Sequence, residues 1–118
     1  MLAREHRLRR ARDFARVRTE GRSWSHTLLV LSAASNGTDV TRAGFVVSKR
    51  VGKAHVRNRV KRILREAVRR QLPLVPGGYD LVISGKPAVA DQPYAQVEAA
   101  IVRQLRQAHL LKSGNAIL

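Results

Sequence analysis

The chain contains no cysteine, which excludes a disulfide framework and any thiolate metal site. It has no apolar run of membrane-spanning length, and its basic N-terminus, MLAREHRLRRARDF, lacks the apolar stretch of a secretory signal. An Arg-rich transit peptide is disfavoured by Glu5 and Asp13, so a soluble cytoplasmic protein without a membrane partner is expected. Acidic residues are few: the eight Asp and Glu are spread along the sequence. Metal-assisted phosphodiester cleavage needs carboxylates converging on hard cations, and no such cluster is advertised. The four histidines, His6, His26, His55 and His109, show no metal-ligand spacing, which favours surface or capping roles. No internal repeat or low-complexity block is present.

What the chain has is positive charge. Lys and Arg number 23 in 118 residues, for a formal net charge of +15. Self-repulsion on that scale disfavours a compact state unless counterions or a partner relieve it, and nucleic acid is the obvious relief. Arg outnumbers Lys, and its planar fork grips phosphate oxygens or stacks on bases where Lys offers a point charge. The length suits one domain, 1–118, with 1–10 and 111–118 expected to be flexible.

The charge is concentrated between Lys49 and Arg70, a stretch with ten cations and one acid, Glu66. On a helical wheel from Val56 to about Gln71, Val60, Ile63, Leu64, Ala67 and Val68 share one arc that can seek a core. Asn58, Lys61, Arg62, Arg65 and Arg69 fall on another, about a right angle or more away. Arg59, Glu66 and Arg70 occupy the remaining flank. A charge run is usually a solvated face, but here one sign is too abundant for i,i+4 pairing to balance.

Around this helix the patterns predict further elements. Ala11–Thr19 reads as a short helix anchored by Phe14 and Val17, with Gly21 as its stop. Ser23–Ala33 reads as a strand, Ser35–Asp39 as an Asn-Gly turn, and Arg42–Ser48 as a hairpin partner. Pro73, Pro76, Gly77 and Gly78 end the cationic helix. Tyr79–Ser84 is another strand, which can pair in parallel with the strand preceding the helix; chain physics alone predicts a right-handed crossover. A last helix runs from about Pro93 to Leu110, with Asp91 where a cap can sit and Val97, Ile101, Leu105 and Ala108 as its buried stripe. The order argues an α/β sandwich with helices packed on one sheet. Trp24 is read as a strand-packing residue.

The block V-S-K-R-V-G-K-A-H-V-R-N-R-V-K-R-I-L-R-E-A-V-R, Val47 to Arg69, resembles the signature of the bacterial ribonuclease P protein subunit. Its centre is Arg57, Asn58 and Arg59, and the resemblance extends through Arg7, Leu8, Asp13, Phe14, Gly21, the Gly44 and Tyr79 strands and the closing helix. It implies an α+β sandwich of order αβββαβα, similar to domain 2 of ribosomal protein S5, with a four-stranded mixed sheet and a left-handed βαβ crossover. It also implies a protein that binds the catalytic RNA of ribonuclease P and assists removal of the 5′ leader from precursor tRNA. Catalysis then belongs to the RNA, with Mg²⁺ bound mainly by the RNA and substrate, no catalytic residue or metal site in the protein, and no DNA partner.

By the same resemblance, Lys49, Arg50, Lys53, Arg57, Asn58, Arg59, Lys61, Arg62, Arg65 and Arg69 are the expected RNA-binding set. A cleft between the first helix and the sheet would receive the leader, with Phe14 lining it. Arg18 stands where relatives commonly carry a second aromatic, and Ser32 where some carry another. That departure predicts a more electrostatic and less aromatic leader groove. Phe14 reads almost equally as a core anchor of its helix, and His55 as a further RNA contact. The competing class is a basic ribosomal or other structural RNA-binding protein, which composition alone does not separate; a helix-turn-helix DNA reader is disfavoured by the strand-rich middle.

Overall fold

A computed structural model describes residues 2–111. Three helices, α1 (Ala11–Glu20), α2 (Ala54–Gln71) and α3 (Tyr94–Gln107), pack on a sheet of β1 (Arg22–Ser25), β2 (Leu29–Ser35), β3 (Arg42–Val47) and β4 (Tyr79–Gly85). The spatial order is β1-β2-β4-β3. β1 pairs antiparallel with β2, β2 antiparallel with β4, and β3 parallel with β4. The sheet is therefore mixed, with α2 carrying the chain between its two parallel strands.

Alternation along the strands assigns the two faces. Leu29, Leu31 and Ala33 of β2 and Leu81 and Ile83 of β4 join Val60, Leu64, Ala67 and Val68 of α2 and Val97, Ile101 and Leu105 of α3 in the main core. Ala34 and Val82 turn the other way and meet Leu8, Val17 and Phe14 in a smaller cluster beneath α1. Each fully buried Leu or Ile in the main core contributes roughly 1.5–3 kcal/mol of transfer free energy. The larger core therefore dominates stability and holds α2 by its expected stripe, although Ile63 is only half buried.

Several expectations change. The stretch Ser23–Ala33 is two strands, because the chain reverses at His26–Leu28, where His26 N donates to Leu29 O at 2.9 Å and Leu28 N to His26 Nδ1 at 3.0 Å. A reversal without Gly or Pro leaves no break in a run of strand formers. β2 and β3 do not form a hairpin either, because β4 lies between them. Its Leu81, Val82 and Ile83 are all buried, as suits a central strand covered on both faces. The Asn-Gly turn forms, with Asn36 Oδ1 accepting from Thr38 N at 2.9 Å and Gly37 at φ 72°, and Asn36 also braces the sheet by donating to Val40 O at 2.8 Å and Asp80 Oδ1 at 2.9 Å. Asp91 does not cap α3, whose N-cap is Pro93 without a side-chain bond. That helix ends at Gln107, where His109 takes φ 61° and Leu110 N donates to Leu105 O at 2.8 Å.

The N-terminal segment, expected to be loose, lies along the β3 edge. Leu2 and Leu8 are buried, Arg4–His6 make a 3₁₀ turn, and Leu8 N donates to Ala43 O at 2.9 Å in a short parallel bridge. Two apolar anchors six positions apart have no helical or strand period to reveal them. Of the expected flexible tail 111–118, all but Leu111 lies outside the described residues.

Candidate nucleic-acid interface

Gly52, at φ 156°, turns the chain into α2 after a 3₁₀ turn that leaves Lys49 and Arg50 exposed; exposed Lys53 is the helix N-cap. With the apolar stripe of α2 buried, its other residues divide into two groups. On one flank Arg59 donates to Ala90 O, and Arg70 approaches Glu98 at 3.7 Å, so this flank binds α2 to α3 and the loop before it. Arg69 is held by Glu66 through two bonds of 2.9 and 2.6 Å. Its hydrogen bond and charge hold the Glu66 carboxyl below the usual carboxylate value.

The other group faces outward. His55, Asn58, Lys61, Arg62 and Arg65 line one open concavity of about 450 Å³. No hydrogen bond or ion pair to another described residue engages Lys61, Arg62 or Arg65. Arg57 is half buried, and its Nε is sequestered without a hydrogen-bond acceptor among the described residues. The ten cations and amides expected from the sequence therefore do not form one equivalent set. Arg59 and Arg69 have partners within the protein, whereas Lys61, Arg62 and Arg65 present their charge outward.

Around the β3 edge lies a second groove of about 470 Å³, lined by Arg7, Arg9, Phe14 and Phe45 with Lys61 and Arg65 again. Phe14 is half buried and lies directly over Gly44, where an added Cβ would sit 2.4 Å from its Cζ. Its two readings, core anchor and groove aromatic, are thus compatible in one position. Arg18 is exposed one helical turn beyond Phe14 and is not among the residues lining this groove. Ser32 is buried and hydrogen-bonded to Ser23 Oγ at 2.8 Å. Arg7, Arg9 and Phe45 were missed as lining residues, since only the packing of the N-terminal segment brings them together. Trp24 packs against the main core, and its carbonyl receives Gln104 Nε2 at 3.0 Å.

A buried ionic centre fixes the first helix above the sheet. Asp80, 0% exposed on β4, accepts from Arg42 Nε and Nη2 at 2.9 and 2.7 Å, from Asn36 at 2.9 Å and from Arg16 at 2.6 Å. Burial pushes its carboxyl up, but the hydrogen bonds from Arg42 and Asn36, the Arg42 charge and the Arg16 bond together hold it below the ordinary aspartate value. Among the described residues no three His, Cys, Asp or Glu side chains converge to hold a metal ion. None of the described helices is long and apolar enough to cross a membrane.

Comparison with known proteins bears on what such a surface serves. The profile of the family described as Ribonuclease P matches residues 2–109. The chain is 46% identical over 111 residues to the ribonuclease P protein component of Chloroflexus aggregans, covering 93% of this chain and 82% of the relative. It is 41% identical over 114 residues to that of Roseiflexus castenholzii, covering 96% and 93%. The solved RNase P protein of Staphylococcus aureus superposes with a TM-score of 0.84 at 25% identity, over 91% of this chain and 98% of that one. That of Thermotoga maritima gives 0.78 at 32% identity, over 86% and 96%. A general ribosomal RNA-binding role does not account for a match that runs through the Arg57-Asn58-Arg59 block and both its flanks: the chain belongs to the ribonuclease P protein family and is the protein subunit of that ribonucleoprotein.

Proposed function

We propose that the outward cations of α2 bind the RNA subunit of ribonuclease P and that the adjoining groove receives the single-stranded 5′ leader of precursor tRNA. The observation that carries this reading is that Lys61 and Arg65 line both concavities, so one cationic ridge borders two RNA-sized surfaces. Lys49 and Arg50 lie in the 3₁₀ turn before α2 and Lys53 at its N-cap, and Asn58 and Arg62 line the outer concavity; half-buried Arg57 lies in the first turn of the same helix. Phe14 offers one stacking platform, worth on the order of 1–3 kcal/mol per base in single-strand binders. Arg9, Lys61 and Arg65 supply phosphate attraction around it, and Arg18 adds charge at the approach.

The protein acts in this reading by neutralising phosphates where the folded RNA and the leader come close, and by orienting the leader. Cleavage belongs to the RNA subunit, and Mg²⁺ is held by RNA phosphates and substrate. That division of labour is in keeping with the absence, among the described residues, of any group of three His, Cys, Asp or Glu side chains able to hold a metal ion. The compartment is the cytoplasm, where precursor tRNA is made in a bacterium.

Reconstitution with ribonuclease P RNA tests the reading. Holoenzyme should bind precursor tRNA more tightly than mature tRNA, and the protein should widen that difference relative to RNA alone. Equal affinity for the two substrates would refute the leader groove, and robust cleavage of precursor tRNA by purified protein in Mg²⁺ would refute the division of labour.

A further inference from the structure

α1 is anchored by less apolar contact than the other helices: among its ten residues only Val17 is fully buried, against four apolar residues in each of α2 and α3. Its seat depends on a carboxylate from another element. Arg16 donates to Asp80 at 2.6 Å and to Ser35 O at 2.9 Å, and Asp13 lies 3.7 Å from Arg42, which itself grips Asp80 through two nitrogens. Two points of α1, one turn apart, are thereby tied to a single buried anion. Two such ties add to the packing of Val17 and Phe14 in resisting roll about the helix axis. Phe14 lies between them in sequence and rests its ring over Gly44, facing the groove. With side chains reaching about 6 Å from the axis, a roll of about 20° would carry the ring some 2 Å, roughly half the thickness of a stacked base.

We propose that Asp80 is a positioning residue for the groove: it sets the roll of α1 on the sheet, and so the place where Phe14 meets a single-stranded RNA segment, without touching RNA itself. The proposal rests on the reading of the groove as a leader site. It makes a prediction opposite to that of charge alone. Asp80→Asn raises the net charge above +15, which by phosphate attraction alone would tighten RNA binding. Positioning predicts the reverse for the leader and no change for the RNA subunit, because α2 is packed by the main core on the other face of the sheet.

The experiment measures, for reconstituted holoenzyme, the affinity ratio of precursor to mature tRNA, alongside the affinity of the protein for the RNA subunit at the same salt. Asp80→Asn should lower the ratio about fivefold, the low end of one stacking platform's contribution, with RNA-subunit affinity unchanged. Arg16→Gln, which leaves the Asp80–Arg42–Asn36 contacts in place, provides a milder variant; it should lower the ratio in the same direction, and Arg16→Lys should recover part of it. Variants that keep the full ratio, or that lose leader and RNA-subunit affinity together, overturn the proposal. A wild-type protein without leader preference overturns the groove reading and the proposal with it, whereas a discriminating wild type with unaffected variants overturns the proposal alone.

Discussion

Two pairs of arginines on α2 carry the same formal charge and should behave differently. Arg62 and Arg65 are exposed and line the outer concavity, whereas Arg59 donates to Ala90 O and Arg69 is clasped by Glu66. Taking the single-strand value, each phosphate contact with the RNA subunit adds about 0.7 to the slope of log affinity against log salt. Replacing Arg62 and Arg65 by Gln should therefore flatten that slope by about 1.4. The sevenfold share of the affinity loss that two contacts add between about 50 and about 200 mM salt would disappear. Replacing Arg59 and Arg69 should flatten the slope by less than about 0.7, since their donors are already engaged within the protein. Its main effect should be on stability: losing the Arg59 bond to a backbone carbonyl costs about 1.5 kcal/mol, or about 6 °C in Tm for a domain of this size. The assay is a fluorescence titration of labelled ribonuclease P RNA with the protein at four or more salt concentrations, paired with thermal melts of the free protein. Equal flattening by the two double variants would refute the distinction between inward and outward arginines. So would an unchanged melt for Arg59→Gln/Arg69→Gln.

Other perturbations reach different parts of the molecule. Asp80 titrates below the ordinary aspartate value when folded, so its stabilisation is complete above a pH of about 4 and is lost as pH falls through the lower folded value. Thermal melts from neutral pH down to about pH 2 should show a steeper acid decline for wild type than for Asp80→Asn; superimposable acid limbs would contradict the assignment. Gly44→Ala places a methyl group 2.4 Å from Phe14 Cζ, forcing the ring aside at a cost of about 1–3 kcal/mol, read as a lower Tm together with weaker leader binding. Leu64→Ala, at a fully buried position of α2, should cost about 3 kcal/mol in chemical denaturation, and a loss below about 1 kcal/mol would mean that the core is not where the packing places it. Arg18→Ala should weaken leader binding and flatten its salt slope by at most about 0.7; no change in either would remove Arg18 from the groove's approach.

Elements whose signal is periodic and local are legible in one dimension. The apolar stripe of α2 and the opposing arc of Asn58, Lys61, Arg62 and Arg65 follow from 3.6-residue periodicity, and the breaks at Pro73 and Gly77 follow from backbone chemistry. The Arg57-Asn58-Arg59 block, with its flanks, was enough to point to the family. Which charges are available depends on packing. Arg59, Arg70 and the outward arginines are alike in one dimension, and only the neighbours brought by α3 and the loop at Ala90 separate them, whereas the Glu66 clasp on Arg69 is a local i,i+3 pair within α2. The same holds for Asp80, which reads as one polar residue in a strand until packing surrounds it with Arg16, Asn36 and Arg42 from three other parts of the chain. Strand order, too, escaped local reading: the Asn-Gly signal suggested a hairpin, but the free energy of burying β4 on both faces placed it between β2 and β3. Local pattern specifies where a helix or strand can form and which face is apolar. Pairing, charge compensation and the shape of a groove depend on contacts between residues distant in sequence, and those are settled only when the chain closes on itself.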